Sequence, residues 1–192
     1  MANFDEAYNK TLANEGGYDN DPDDAGGETY KGIARKFWGN WPGWAIIDAS
    51  KSEPDFPQCL KGNVVLDKMV RDYYKTNYWN RFAGDEVPSQ IVANEIFDTG
   101  VNMGMGRAVT FLQTTLNLLN KNGKLYPDIV EDGKFGNGTL NTLIACLSLG
   151  EEELIYKIIN VMQGHHYIEY MKKDPKQEKF ARGWFSRVSF VK

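Results

Sequence analysis

The chain has 192 residues, 42 % of them hydrophobic and 25 % charged, with a net charge of −4 at pH 7; this is the balance of a globular protein long enough to bury a full core, and not of a disordered or fibrous one. The acidic excess excludes nucleic-acid binding through clustered cations, and it favours a neutral or mixed polymer recognised by shape and hydrogen bonding. No apolar run approaches the length of a membrane span, and Cys59 and Cys146 have neither a CxxC spacing nor a His pair beside them, which argues against a zinc site and a disulfide scaffold; the two could pair with each other, and free buried thiols are the expected state.

Residues 4–14 have the spacing of a short amphipathic helix, with Phe4, Ala7, Tyr8 and Leu12 on one face. Gly16 and Gly17 end it, so Glu15 falls in its last turn, just before a bend. Residues 16–34 are rich in Gly, Asp and Asn, which predicts an irregular stretch or a small twisted hairpin. Segment 35–62 holds Trp38, Trp41, Trp44 and three prolines with weak periodicity; a short helix or two inside a long loop is expected, with no usable motif.

From Val64 the periodicity turns helical. Helices are predicted over 64–82, 89–102 and 105–120, followed by a polar loop at 122–137 and further helices over 138–149, 151–173 and 176–188. Gly164 marks a kink or a close approach in the longest of these. The whole is read as mostly α, with a small irregular or β region near the N-terminus.

The chemistry concentrates near the front. A carboxyl at a helix C-terminus, backed by apolar residues, loses hydration and faces the negative end of the helix dipole; both effects favour its protonated form. Glu15 in that state is a usable general acid. Asp24, in a polar glycine-rich loop, stays ionised, with Asp23 and Glu28 as the next candidates for its place. Two carboxyls in opposed environments are what glycosidic hydrolysis requires, and the Thr29 hydroxyl suits holding a water or orienting Asp24. Read without context, a Glu before Gly-Gly is equally a solvated helix end. The acidic cluster Asp19, Asp21, Asp23 and Asp24 lacks the ligand order of a calcium loop, and the adjacent His165 and His166 point about 100° apart on a helix, so they are read as structural. No metal and no cofactor is expected.

The string Glu15-Gly-Gly-Tyr18, then Asp24-Ala-Gly-Gly-Glu-Thr29, then Gly32-Ile33 resembles the signature of the N-acetylmuramidases of glycoside hydrolase family 108, within the wider lysozyme-like group. Phage-type lysozymes of that group show a similar acid, Asp and Thr, with the Thr one residue later than here. Downstream, Tyr78-Trp79 and Phe97-Asp98-x-Gly-Val-Asn102-x-Gly104 are similar to the family's later motif. Leu112-Gln113-x-x-Leu116-Asn117 with Asp132-Gly133-x-Phe135-Gly136-x-x-Thr139, and the ending Arg182-Gly183-Trp184-Phe185-x-Arg187, are similar to helical peptidoglycan-binding modules. On residue types alone the former is also plain turn chemistry inside a helical lobe.

The resemblance implies a lysozyme-like fold of two lobes, with a catalytic region at 1–104 and a peptidoglycan-binding-like lobe at 105–192 that is integral to the same fold. It implies hydrolysis of the β-1,4 bond between N-acetylmuramic acid and N-acetylglucosamine in bacterial peptidoglycan. Glu15 is then the general acid, Asp24 the second carboxylate and Thr29 its helper, with Tyr18, Tyr30, Trp79, Asp98 and Asn102 as substrate contacts. The nine-residue step from Glu15 to Asp24 favours a gap wide enough for a water, and so inversion. A lytic transglycosylase and a non-catalytic wall-binding protein are the rival readings. A monomer without stable membrane insertion is expected. The start, Met1 to Glu6, has no basic stretch followed by an apolar one, so synthesis in the bacterial cytoplasm and action on the wall after export or lysis are expected.

Overall fold

The computed structural model describes residues 1–12, 17–20 and 27–190. Glu15 and Asp24, the two carboxyls on which the sequence reading turns, lie outside the described residues. Among the described residues the chain is mostly α, with a small antiparallel sheet near the N-terminus. It divides into two compact units, Tyr8–Asn77, and Met1–Ala7 with Tyr78–Lys192.

The unit Tyr8–Asn77 starts within helix α1 (Phe4–Leu12) and continues into three two-residue strands, β1 (Tyr18–Asp19), β2 (Thr29–Tyr30) and β3 (Ile33–Ala34). Tyr18 pairs with Tyr30 and Asp19 with Thr29, while Tyr30 pairs with Ile33 across a two-residue turn. Both turn residues, Lys31 and Gly32, have positive φ, at 44° and 78°. That is the tight hairpin geometry whose twist matches the strands, and it accounts for a glycine before Ile33. Helix α2 (Gly43–Ser50) and helix α3 (Val64–Asn77) complete this unit. α3 grips the hairpin: the Tyr74 hydroxyl donates to the Lys31 carbonyl at 2.8 Å, and Lys31 Nζ meets Asp67 at 2.6 Å. Ile33, Ile47, Leu66, Val70 and the rings of Trp44 and Tyr74 form the core. Cys59, half-buried here, and the buried Cys146 of the other unit are both free thiols.

In the other unit, helix α4 (Gln90–Met103) is buried on most sides. Ser89 caps it, accepting from Val92 N at 3.1 Å while its hydroxyl donates to Glu152 at 2.6 Å. Helix α5 (Met105–Leu119) and helix α7 (Glu152–Lys173) pack on α4, and α6 (Asn137–Ser148) packs on α5. Gly100 lets α4 and α5 approach, since a Cβ there would fall 2.3 Å from Met105 Sδ. Val92, Ile96, Leu112, Leu116, Leu143, Ile155 and Ile159 are fully buried. The first turn of α1 belongs to this unit, with Phe4 edge-on to Phe97 at 5.9 Å.

Two helix expectations are corrected. The segment 64–82 stops at Asn77, and Trp79–Phe82 follows as a separate 3-10 turn ended by the left-handed Ala83 (φ 49°). The segment 176–188 is a 3-10 stretch, Pro175–Phe180, then a short helix α8, Ala181–Phe185. The first break buries both Trp79 and Phe82; at the second, Pro175 follows the Asp174 cap and opens the 3-10 stretch. α7 runs unbroken through Gly164, where a Cβ would meet Val188 and Phe185 at ordinary contact distances of 3.6 and 3.7 Å.

The 122–137 loop owes its order to Gln113. This buried amide donates to Asp132 at 3.0 Å, the Lys134 carbonyl at 3.1 Å and Thr139 at 3.2 Å, and accepts from Gly133 N at 2.9 Å. Four residues of the module-like motif thus meet in one structural knot, as turn chemistry demands.

Candidate active site

The hairpin fixes Thr29 and Tyr18 by backbone pairing, and a charge cluster fixes the strand beneath them. Glu28, the residue before Thr29, receives Arg35 Nη1 at 2.7 Å, Lys51 Nζ at 2.7 Å and the Tyr18 hydroxyl at 3.0 Å. Arg35 also makes a two-pronged contact with Asp48. Burial acts to raise the Glu28 pKa, but the hydrogen bonds from Lys51, Arg35 and Tyr18 outweigh it and hold the carboxyl below its usual value. A carboxylate with its lone pairs filled by three donors is a poor proton acceptor. Glu28 thereby anchors the strand through three donors.

Beside the hairpin lies a recess of about 290 Å³, walled by Gly17, Tyr18, Tyr30 and Lys31 and closed by the Pro57–Gly62 segment. Gly17, on its rim, is two residues after Glu15 in the sequence. The Tyr18 ring packs edge-on against Phe56 at 4.7 Å, and its hydroxyl pKa is raised, first by burial and then by the bond to Glu28. Thr29 is half-buried on the middle strand.

Asp98 and Asn102 lie in the other unit, one helical turn apart on α4. Asn102 Nδ2 donates to the Asp98 carbonyl at 2.7 Å and approaches its carboxylate at 3.3 Å. The Asp98 carboxylate also meets Arg187 Nη1 at 2.9 Å. Behind this pair sits a polar group that the sequence reading missed. Glu95 is only 7 % exposed and accepts from Thr99 at 3.5 Å. The amide of Gln163 and the Tyr167 hydroxyl are buried beside one another, with no further hydrogen-bond partner among the described residues. Burial, then the Asp98 charge, pushes the Tyr167 hydroxyl up to about 12. Glu95 sits three residues before Asp98, a spacing that shares a helix face, and that was the available signal; Arg187 stood in the module-like ending with nothing to pair it with Asp98, and nothing local pointed to Gln163.

Two expected substrate contacts are corrected. Trp79 is 0 % exposed; its ring packs on Phe82, Phe4 and Phe97 and its indole N–H is used by Asp85 at 2.8 Å. Tyr30 is 2 % exposed and stacks on Trp41 at 6.4 Å. Trp79 is sealed in the core, and Tyr30 keeps only the small surface that lines the recess. Among the described residues no cluster of His, Cys, Asp and Glu has the makings of a metal site, and no helix is long and apolar enough to cross a membrane.

Eleven chains of known structure match this one. Among them is the structure of Brucella abortus SagA, with a TM-score of 0.58 at 24 % identity, covering 96 % of this chain and 88 % of that one; at that identity the likeness speaks for the fold alone. The mostly α, lysozyme-like fold expected from the sequence stands. No curated protein matches the sequence. Residues 107–189 match the family model described as a predicted peptidoglycan domain. Residues 8–104, half of the chain and the stretch that carries the Glu15 to Ile33 signature, match the model for glycosyl hydrolase 108, and the chain belongs to that family, as a glycoside hydrolase acting on peptidoglycan.

Proposed function

We propose that the protein is a muramidase: it hydrolyses the β-1,4 bond between N-acetylmuramic acid and N-acetylglucosamine of peptidoglycan, with Glu15 as general acid and Asp24 as the second carboxylate. The family match over 8–104 carries this reading, because it spans the whole acid–Asp–Thr signature. Glu15 protonates the leaving oxygen. Asp24 holds the attacking water from the opposite face and receives its proton, with the Thr29 hydroxyl as the water's second partner. Glu28 beside Thr29 already accepts from Arg35, Lys51 and Tyr18, which makes it the poorer candidate for the second carboxylate. Tyr18, Asp98 and Asn102 remain the proposed glycan contacts. The nine-residue step between the carboxyls favours single displacement with inversion.

In the same reading, 105–192 is not a detachable binder. Its residues serve the 1–104 region directly: Glu152 receives the cap residue of α4, and Arg187 holds Asp98. The protein acts on the wall after reaching it by export or cell lysis.

Product analysis tests the reading. Purified peptidoglycan is digested and the fragments identified by mass spectrometry, with NMR at early times. Muropeptides with a free reducing muramic acid, first appearing as the inverted anomer, are expected. Fragments ending in 1,6-anhydro sugars identify a transglycosylase, and walls left intact identify a non-catalytic binder.

A further inference from the structure

The stretch 35–62, silent as a sequence, builds one wall of a broad groove. The groove holds about 810 Å³ and lies between the loop 37–42 and α3, within the range of ligand sites. It shares no lining residue with the recess beside the hairpin. The two are linked by one stacked pair: Tyr30 faces the recess and Trp41 the groove.

Its aromatic side is held out to solvent. Phe37 is 70 % exposed and Trp38 39 %, although ordinary burial draws such rings inward. The loop that presents them is not loose. Phe37 N and Trp38 N both donate to the Ala34 carbonyl, at 3.1 and 2.9 Å. The Trp44 indole N–H donates to the Trp38 carbonyl at 2.8 Å, and the Trp38 ring stands edge-on to Tyr73 at 5.0 Å and 88°. The opposite side is polar, with Asp72, Thr76 and Asn77 on α3. The charges at its edge are balanced, since Asp72 is paired with Lys68 at 2.5 Å and Lys36 stands 5.8 Å over the Phe37 ring; a neutral ligand with hydroxyl and amide groups suits this lining better than an acyl chain. A pyranose fits both sides: it has an apolar C–H face that lies on an aromatic ring, and a rim of hydroxyl and acetamido groups that pair with carboxylates, amides and hydroxyls.

We propose that this groove is a second glycan-binding subsite, which takes N-acetylhexosamine units of the peptidoglycan strand on Trp38 and Phe37, with Asp72, Thr76 and Asn77 pairing to their polar rims. The inference rests on the reading of the protein as a peptidoglycan hydrolase and adds a place where the strand is held away from the cleaved bond.

The test uses the full chain carrying Glu15→Gln, titrated with N-acetylchitotetraose and followed by the indole N–H signals of ¹⁵N-labelled tryptophan, with Trp38→Phe identifying the Trp38 resonance. The Trp38 signal should shift with the sugar, and Phe37→Ala or Trp38→Ala should weaken binding about 2–10-fold, the range of a single aromatic contact. In the otherwise native enzyme the same two variants should raise KM for solubilised peptidoglycan by a similar factor. Melting of each variant within a few degrees of the parent shows that folding is intact, and Phe37→Ala, at an exposed site, carries the test if Trp38→Ala unfolds. An unmoved Trp38 signal with unchanged affinity and KM in Phe37→Ala overturns the subsite. Failure of the native enzyme to cleave walls overturns the muramidase reading instead, while the titration still decides the groove.

Discussion

The two units are held together by different means. In Tyr8–Asn77 the strands are two residues long, too short to be stable through their ladders alone. The hairpin there depends on Glu28, Arg35, Lys51 and Asp48 and on rings such as Trp44 and Tyr74 wedged under it. The other unit relies on helices of 14, 15 and 22 residues closed over an aliphatic core. Thr29 and Tyr18 sit in the first kind of structure, on a hairpin held by neighbouring charges; the second kind supplies bulk stability. The difference predicts how each unit answers to change.

The largest effect is expected from deleting 105–192. Without Leu112, Leu116, Ile155 and Ile159 the buried faces of α4 lose their cover, and the remainder should be insoluble or inactive. A soluble 1–104 fragment that lyses walls breaks both the comparison and the claim that the second region is integral.

Next comes Glu15→Gln, which removes the transferable proton and keeps the shape. Loss of a general acid typically costs about 10²–10⁴-fold, so turbidity loss on purified walls should slow by at least the lower figure with little change in melting temperature. Near-normal lysis in this variant sinks the central proposal. Asp24→Asn should likewise slow lysis and remove the acidic limb of the pH–rate profile.

A core truncation in the helical unit, Leu116→Ala, should cost about 2–5 kcal/mol in denaturant unfolding, with no dependence on salt or pH. Arg35→Gln in the sheet unit should cost less, because the charged hydrogen bonds that it strips from Glu28 and Asp48 are partly screened by solvent. Its signature is pH. The folded pKa of Glu28 lies below its unfolded value near 4.5, so the carboxylate adds stability above that pH, and the gain is lost as pH falls through the folded value. Native protein should therefore melt progressively lower from about pH 5 downward, and Arg35→Gln should show a shallower fall. Asp48 shifts in the same direction through Arg35, but its exposure to solvent screens its share. A variant with the native acid dependence shows that the cluster does not hold the hairpin.

Much of this architecture was legible in the sequence because it is local. The periodicity of Ile91, Val92, Ile96 and Phe97 marks α4, and that of Val109, Leu112 and Leu116 marks α5, to within a residue or two of the observed bounds. Gly32 before Ile33 marks the hairpin, since a positive φ is a property of the turn itself. Family membership was legible too, since a signature depends only on which residues stand at which spacing.

What the sequence left undecided was which side chain meets which across long separations. Trp79 and Trp38 are the same residue type in similarly aromatic surroundings, yet one is sealed beneath Phe4 and Phe97 and the other stands at the mouth of a groove. Glu28 and Asp24 are both acids in one glycine-rich stretch, and only the approach of Arg35 and Lys51 makes Glu28 a filled anchor. Arg187 reaches Asp98 across 89 residues of chain. Periodicity reports the face a residue occupies on its own helix or strand. Burial and ionisation depend on what is packed opposite that face, and only the tertiary structure decides that.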